Sequence, residues 1–187
     1  MNIRAVQILT SVALIVGAAA RASAQRTGDT HVRAVDRRFI YSFHVGSAHP
    51  LGTLDSISDA NIHAAADLTL RLTRTTPNSW ILFAQAIVGL NQFTAEIPTG
   101  IAHPRWTNVS IDLMAVGSGS GTLPYIRAGS GVYFPKSGSS KAGFNAGIGG
   151  LIPLTGYGAL QFGIDYHLIT TKPKTTFATL ELGVLFR

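Results

Sequence analysis

From Phe39 to Phe186 the sequence switches, in run after run of strand length, between an apolar side chain and a small or polar one. Strand side chains point to opposite faces with a period of two, so each run reads as a strand with one greasy and one polar face. The final run shows it most cleanly. Its even positions are Ala178, Leu180, Leu182, Val184 and Phe186, and its odd positions are Thr179, Glu181 and Gly183 before Leu185 breaks the series. A strand so close to the end of the sequence must pair with its predecessor and with something much earlier.

The same alternation can be followed along the chain. Phe39, Tyr41, Phe43 and Val45 oppose Ser42, His44 and Gly46, and a loop rich in Pro, Gly, Asp and Ser follows. Ala64, Ala66, Leu68, Leu70 and Leu72 oppose His63, Asp67, Thr69, Arg71 and Thr73. The tight turn Thr75 to Asn78 leads to a third run, with Trp80, Leu82, Ala84, Ala86, Val88 and Leu90 on one face and a mixed opposite face that includes Gln85, Gly89 and Asn91. Val109, Ile111, Leu113 and Ala115 oppose Asn108, Ser110 and Asp112. Ile126, Ala128, Val132 and Phe134 oppose Arg127, Gly129, Gly131 and Tyr133. Phe144, Ala146, Ile148 and Ile152 oppose Gly143, Asn145, Gly147 and Gly149, and Leu160, Phe162, Ile164, Tyr166 and Leu168 oppose Gln161, Gly163, Asp165 and His167. With the final run this makes eight strands of about ten residues, the length that crosses a bilayer's hydrocarbon when tilted by roughly 45°. Turns after the second, fourth and sixth strands are short. Two connections on the other side are longer, an asymmetry typical of outer-membrane barrels.

Charge decides which face meets what. A soluble barrel turns its polar face to water, where lysine and glutamate are plentiful. Here the polar faces carry no lysine; they carry glycines interleaved with Asp67, Arg71, Asp112, Arg127, Asp165 and Glu181. Small residues and a few opposite charges suit the tight interior of an eight-stranded barrel. The apolar faces carry no charge on any strand, and a charge there would cost about 2 to 4 kcal/mol at mid-bilayer. The expected fold is therefore an all-β, eight-stranded antiparallel up-and-down transmembrane β-barrel. Trp80, Tyr41 and Phe186 near one end, and Trp106, Phe134 and Tyr166 near the other, are candidates for aromatic girdles.

The chain of 187 residues is 46% hydrophobic and only 13% charged, poor in charge for a water-soluble domain. Asn2 to Arg4, the apolar run Ile8 to Ala20 and the small residues Ala22, Ser23 and Ala24 fit a cleaved secretory signal peptide over 1–24. Residues 25–38 read as a flexible polar arm and 39–187 as the barrel domain. Cleavage would remove Arg4 and Arg21 and lower the formal charge from +6 to +4. The absence of cysteine excludes disulfides, thiolate metal sites and a lipid-anchored N-terminal Cys.

The stretches FIYSFHVGSAHPLG, DLTLRLTR, WILFAQAIVGLNQF, YIRAGSGVYFP, AGFNAGIGG and LELGVLF together resemble the small outer-membrane β-barrel proteins of Gram-negative bacteria, the OmpA/OmpX-like group, over about residues 38–187. The resemblance implies an outer-membrane location, contact with outer-membrane lipids and lipopolysaccharide, and recognition by the outer-membrane assembly machinery. In that family the last strand usually ends on an aromatic residue; here Phe186 is penultimate and Arg187 is last.

Asp67, Asp112, Asp165 and Glu181 against Arg71 and Arg127 are expected to form an interior ion-pair network, because a charge away from water needs a partner. Glu181 should reach Arg71 or Arg127. A narrow cation-favouring pore is the alternative use of the same residues. Ser42 with His44, and His167 with Asp165, supply the residue types of a nucleophilic site, and some small outer-membrane barrels are lipid A-modifying enzymes, but no strained turn or oxyanion motif accompanies them. The main expectation is a non-enzymatic envelope or surface-interaction protein. A lipid-modifying enzyme and a soluble periplasmic lipid-binding barrel are the alternatives. His49, His63 and His103 flank the external side without a ligand-like spacing, so neither a metal nor any cofactor is expected, and no nucleic-acid partner. All four lysines, Lys136, Lys141, Lys172 and Lys174, lie in two short connections where they could meet lipopolysaccharide phosphates.

Overall fold

A computed structural model describes residues 38–55, 58–73, 79–95, 104–118, 121–154 and 158–186. The signal peptide expected over 1–24 and all but Arg38 of the expected arm lie outside these residues, as does Arg187. Within the described residues ten strands follow in order: β1 Phe39–Leu51, β2 Ser58–Asp59, β3 Asn61–Arg71, β4 Ile81–Gln92, β5 Thr94–Ala95, β6 Arg105–Val116, β7 Leu123–Pro135, β8 Lys141–Pro153, β9 Gly158–Ile169 and β10 Thr175–Phe186. Eight of them close into an antiparallel barrel in the order β1-β10-β9-β8-β7-β6-β4-β3, while β2 and β5 pair separately. The seam joins the first barrel strand to the last, with Tyr41 opposite Phe186 and Leu51 opposite Thr176. Closure leaves no free edge, so every barrel strand is paired on both sides.

The alternation sets the two faces. On β1, Phe39, Tyr41, Phe43 and Val45 are exposed and Ile40, Ser42 and His44 are buried. The same parity places Ile111 and Leu113 outside and Ser110 and Asp112 inside on β6. Glycine makes the interior deep enough for large polar groups. Gly147 lies beside the Asp165 carboxylate, and Gly183 beside the His44 ring, where an added Cβ would stand 2.7 Å from Nδ1. Neither site admits a side chain without displacing its neighbour.

Some boundaries and placements differ from the sequence reading. β1 runs through Ser47 to Leu51, residues expected in a loop, because the alternation persists with Ala48 and Pro50 turned inward and β10 pairs along the whole length. Pro50 is tolerated near the strand end, where a missing donor is least costly. Among the described residues the longer connections carry a 3-10 turn, Gly52–Leu54, and the β2–β5 pair, neither of which has an alternation to reveal it. Of the six girdle candidates, Trp80, Tyr41, Phe186, Phe134 and Tyr166 face outward. Trp106 does not. It shares the parity of Asn108 and Ser110 and is buried inside the barrel.

The interior is layered along the axis. Ile40, Ile81, Phe83, Met114, Val116, Leu123, Tyr125, Leu151, Ala159 and Leu185 fill the end that holds the β1 start and the β10 finish. Ala48, Leu54, Phe93, Trp106, Tyr133, Ile169 and Phe177 fill the opposite end. Polar side chains occupy the middle, so an apolar plug closes each end of a polar chamber.

Candidate functional site

The polar chamber is built from inward positions of all eight barrel strands, and its centre is Arg127 on β7. Arg127 donates through Nε to Asp165 Oδ1 at 2.7 Å, through a terminal nitrogen to Asp165 Oδ2, and through the same nitrogen to Glu181 Oε1 at 2.6 Å. Asp165 stands on β9 and Glu181 on β10, so one guanidinium ties together strands that are not its neighbours. Its planar fork suits two-point recognition of the first carboxylate. Tyr125 and Gln161 also donate to Glu181 Oε1, at 3.4 and 3.5 Å.

A second cluster spans the seam. His44 on β1 donates from Nε2 to Asp67 Oδ2 at 2.7 Å, and Thr69 donates to the other Asp67 oxygen at 2.8 Å. His63 on β3 donates from Nδ1 to Asn91 Oδ1 at 2.8 Å, and the Asn91 amide nitrogen donates to Asn108 at 3.1 Å, which fixes the orientation of Asn91. Gly46 is paired with Glu181 on one side and with His63 on the other. Having no side chain, it lets those two groups face each other across β1. His44 Nδ1 lies 3.7 Å from Glu181 Oε1, and His63 Nε2 lies 3.6 Å from Glu181 Oε2. Neither nitrogen has a hydrogen-bond partner. A cavity of about 20 Å³ opens among His44, His63, Asp67, Arg127 and Glu181.

Of the six residues expected in an interior network, Asp67, Asp112, Arg127, Asp165 and Glu181 are buried. Asp112 accepts from Asn145 and stands apart from the Arg127 fork. Arg71 is half-buried at the far end of β3, in register with Phe83. It is eight residues from His63, about 26 Å along the strand, so the guanidinium that meets Glu181 is Arg127.

The nucleophilic groupings do not assemble. Ser42 Oγ makes no hydrogen bond, and His44 directs its donor to Asp67. His167 bonds to Tyr133 at 2.9 Å and Thr179 at 3.4 Å and stacks on Phe177, its ring centroid 4.5 Å away. His63, read both on the polar face of its strand and as flanking the external side, points into the interior and is 4% exposed. His49 stays at the barrel surface, bonded to Ser47 at 2.7 Å, and His103 lies outside the described residues. The seam cluster was missed in the sequence because it depends on which rungs of β1, β3 and β10 align.

The lysines occupy one end. Lys136 follows β7, Lys141 opens β8, and Lys172 and Lys174 lie between β9 and β10. Hydrogen bonds from Thr170 to Ala142 hold these neighbouring connections together.

No protein-family model matches this chain, and no curated protein sequence does either. Solved structures do match. Neisserial surface protein A aligns with 80% of this chain and 97% of its own at a TM-score of 0.60 and 10% identity. The outer-membrane protein Ail of Yersinia pestis aligns over 79% of this chain and 99% of its own, with a TM-score of 0.46 and 16% identity. A designed transmembrane β-barrel aligns over 80% and 94%, with a TM-score of 0.44 and 12% identity. The chain thus shares its closed eight-stranded fold with Neisserial surface protein A.

Proposed function

We propose that this chain is an integral outer-membrane β-barrel of the small OmpA/OmpX-like kind, exported by a signal peptide and serving as an envelope or surface-interaction protein. The observation that carries the reading is the outward face. Large apolar side chains stand exposed on every barrel strand, among them Phe43, Ile62, Val88, Ile111, Ile126, Ile148, Ile164 and Leu182. Among the described residues no charged residue shares that face except Arg105 at the tip of β6. A water-soluble protein seldom shows a continuous apolar surface beyond a few hundred Å², whereas a bilayer requires one. The shared fold with Neisserial surface protein A agrees with this reading.

Apolar plugs at both ends of the chamber favour a closed barrel over a conducting pore. The unassembled Ser42 and His44 pair favours a non-enzymatic role over lipid modification. Lys136, Lys141, Lys172 and Lys174, gathered at one end, fit contact with the phosphates of lipopolysaccharide at the outer leaflet. Membrane fractionation with heat-modifiable gel mobility tests the proposal. Recovery in the outer-membrane fraction, with a folded band that shifts on boiling, is expected; recovery as a soluble periplasmic protein overturns it. Ile111→Arg, on a side chain 69% exposed at the middle of β6, should destabilise the inserted barrel by about 2 to 4 kcal/mol.

A further inference from the structure

We propose that the barrel interior binds a divalent transition-metal ion of the zinc class through His44 Nδ1, His63 Nε2 and the carboxylate of Glu181. Three features point there. The first is tautomer. His44 directs Nε2 at Asp67 and His63 directs Nδ1 at Asn91, so in its neutral form each imidazole presents a lone pair from its other nitrogen. Metal-binding histidines are typically held in this way, with the second ring nitrogen donating to a carboxylate or carbonyl.

The second feature is what those lone pairs face. Both nitrogens are buried without a hydrogen-bond partner, and both point at the same carboxylate, at 3.7 and 3.6 Å. A carboxylate held there needs a positive charge between, supplied by a bound ion or by a second proton on each imidazole, and only the ion is retained against chelator. Nitrogen and oxygen ligands on a tetrahedral zinc stand ~3.4 Å apart, so both pairs are already close to ligand spacing. The cavity of about 20 Å³ beside them is large enough for a single water as a fourth ligand. Among the described residues no three histidine or carboxylate groups form a ready-made cage. The ion is bound when Glu181 turns its Oε2 edge, opposite the Arg127 contact, toward the two imidazoles.

The third feature is charge. Asp67, Asp112, Asp165 and Glu181 are buried, against Arg127 as the only fully buried guanidinium among the described residues. With the buried histidines in their neutral form, four acids less one base leave a formal excess of three negative charges, and a divalent ion offsets two of them. Buried charges in a dry chamber are retained when they are paired or coordinate a metal.

Since apolar layers fill both ends, the ion is expected to enter before the barrel closes. The test is therefore refolding. The full chain is unfolded in denaturant with chelator, refolded into detergent micelles with Zn²⁺ or Co²⁺, stripped with excess chelator, and assayed by elemental analysis and by the visible spectrum of the cobalt form. Wild type should keep one ion per chain, with the intense cobalt bands of a four-coordinate site. His44→Gln and His63→Gln should abolish retention, His49→Gln should not change it, and Asn91→Leu should weaken it by about 10-fold or more through loss of the His63 acceptor. Folded wild type that keeps no more metal than the His44→Gln/His63→Gln double variant overturns the proposal. If the variants do not fold, X-ray absorption of the wild-type metal form decides: imidazole scattering upholds the site, and an all-oxygen shell overturns it. The site needs only the closed barrel, so a failed membrane fractionation would leave it standing.

Discussion

Replacing Arg127 by Met would leave the Asp165 and Glu181 carboxylates in the chamber without their shared counter-charge. Arg127 gives two bonds to Asp165 and one to Glu181, and all three side chains are nearly inaccessible. Removing one partner of a buried ion pair costs about 3 to 5 kcal/mol, because a desolvated charge is stranded. Here two are stranded by one change, so the upper part of that range is expected, equivalent to ~3 decades in the folding equilibrium. The pair as a whole need not contribute net stability, since desolvation opposes its attraction. The triple variant Arg127→Met/Asp165→Asn/Glu181→Gln should therefore recover most of the loss. Urea unfolding in lipid vesicles, followed by tryptophan fluorescence and by gel mobility, measures both quantities. A single variant within about 1 kcal/mol of wild type, or a triple variant as unstable as the single one, would refute the claim that charge stranding governs this layer.

Two other expectations concern the interior. Gly147→Ala would place a methyl group on the Asp165 carboxylate, with the Ile164 carbonyl oxygen at 2.9 Å, and should cost about 1 to 3 kcal/mol by overpacking in the same unfolding assay. In planar bilayers the wild type should show no discrete current steps. Phe83→Ala and Phe177→Ala each open only one of the two plugs, so steps should require the double variant; steps from either single variant would show that one plug alone does the sealing.

Strand number, closure and facing were legible in the sequence because a period of two survives along every strand. Phe43 outside and His44 inside follow from parity alone. The plugs were legible in principle as well, since Phe83, Trp106, Phe177 and Leu185 all occupy inward parity. Leu185 reads as a break in the series and Trp106 as a girdle candidate because the expectation of a polar interior did not extend to the strand ends, where side chains meet only each other and loop residues such as Phe93 and Leu54. The partner of Glu181 was harder. Arg71 and Arg127 both have the right parity, and only the strand stagger, which no single run encodes, puts Arg127 at its height. The meeting of His44, His63 and Glu181 depends in the same way on the rungs that Gly46 shares with both neighbours.

The seam has a consequence for how the barrel comes together. Glu181 meets Arg127 from one side and the β1 and β3 histidines from the other, so its full set of contacts exists only once the β1–β10 seam is closed. A half-built sheet holds Asp67 and Asp165 while lacking the strand that completes their layer. Intermediates are then penalised at their centre as well as at their open edges, and assembly is biased toward a single concerted locking step. Closure of the seam between β1 and β10 completes the hydrogen-bond ladder and the charge layer in the same event.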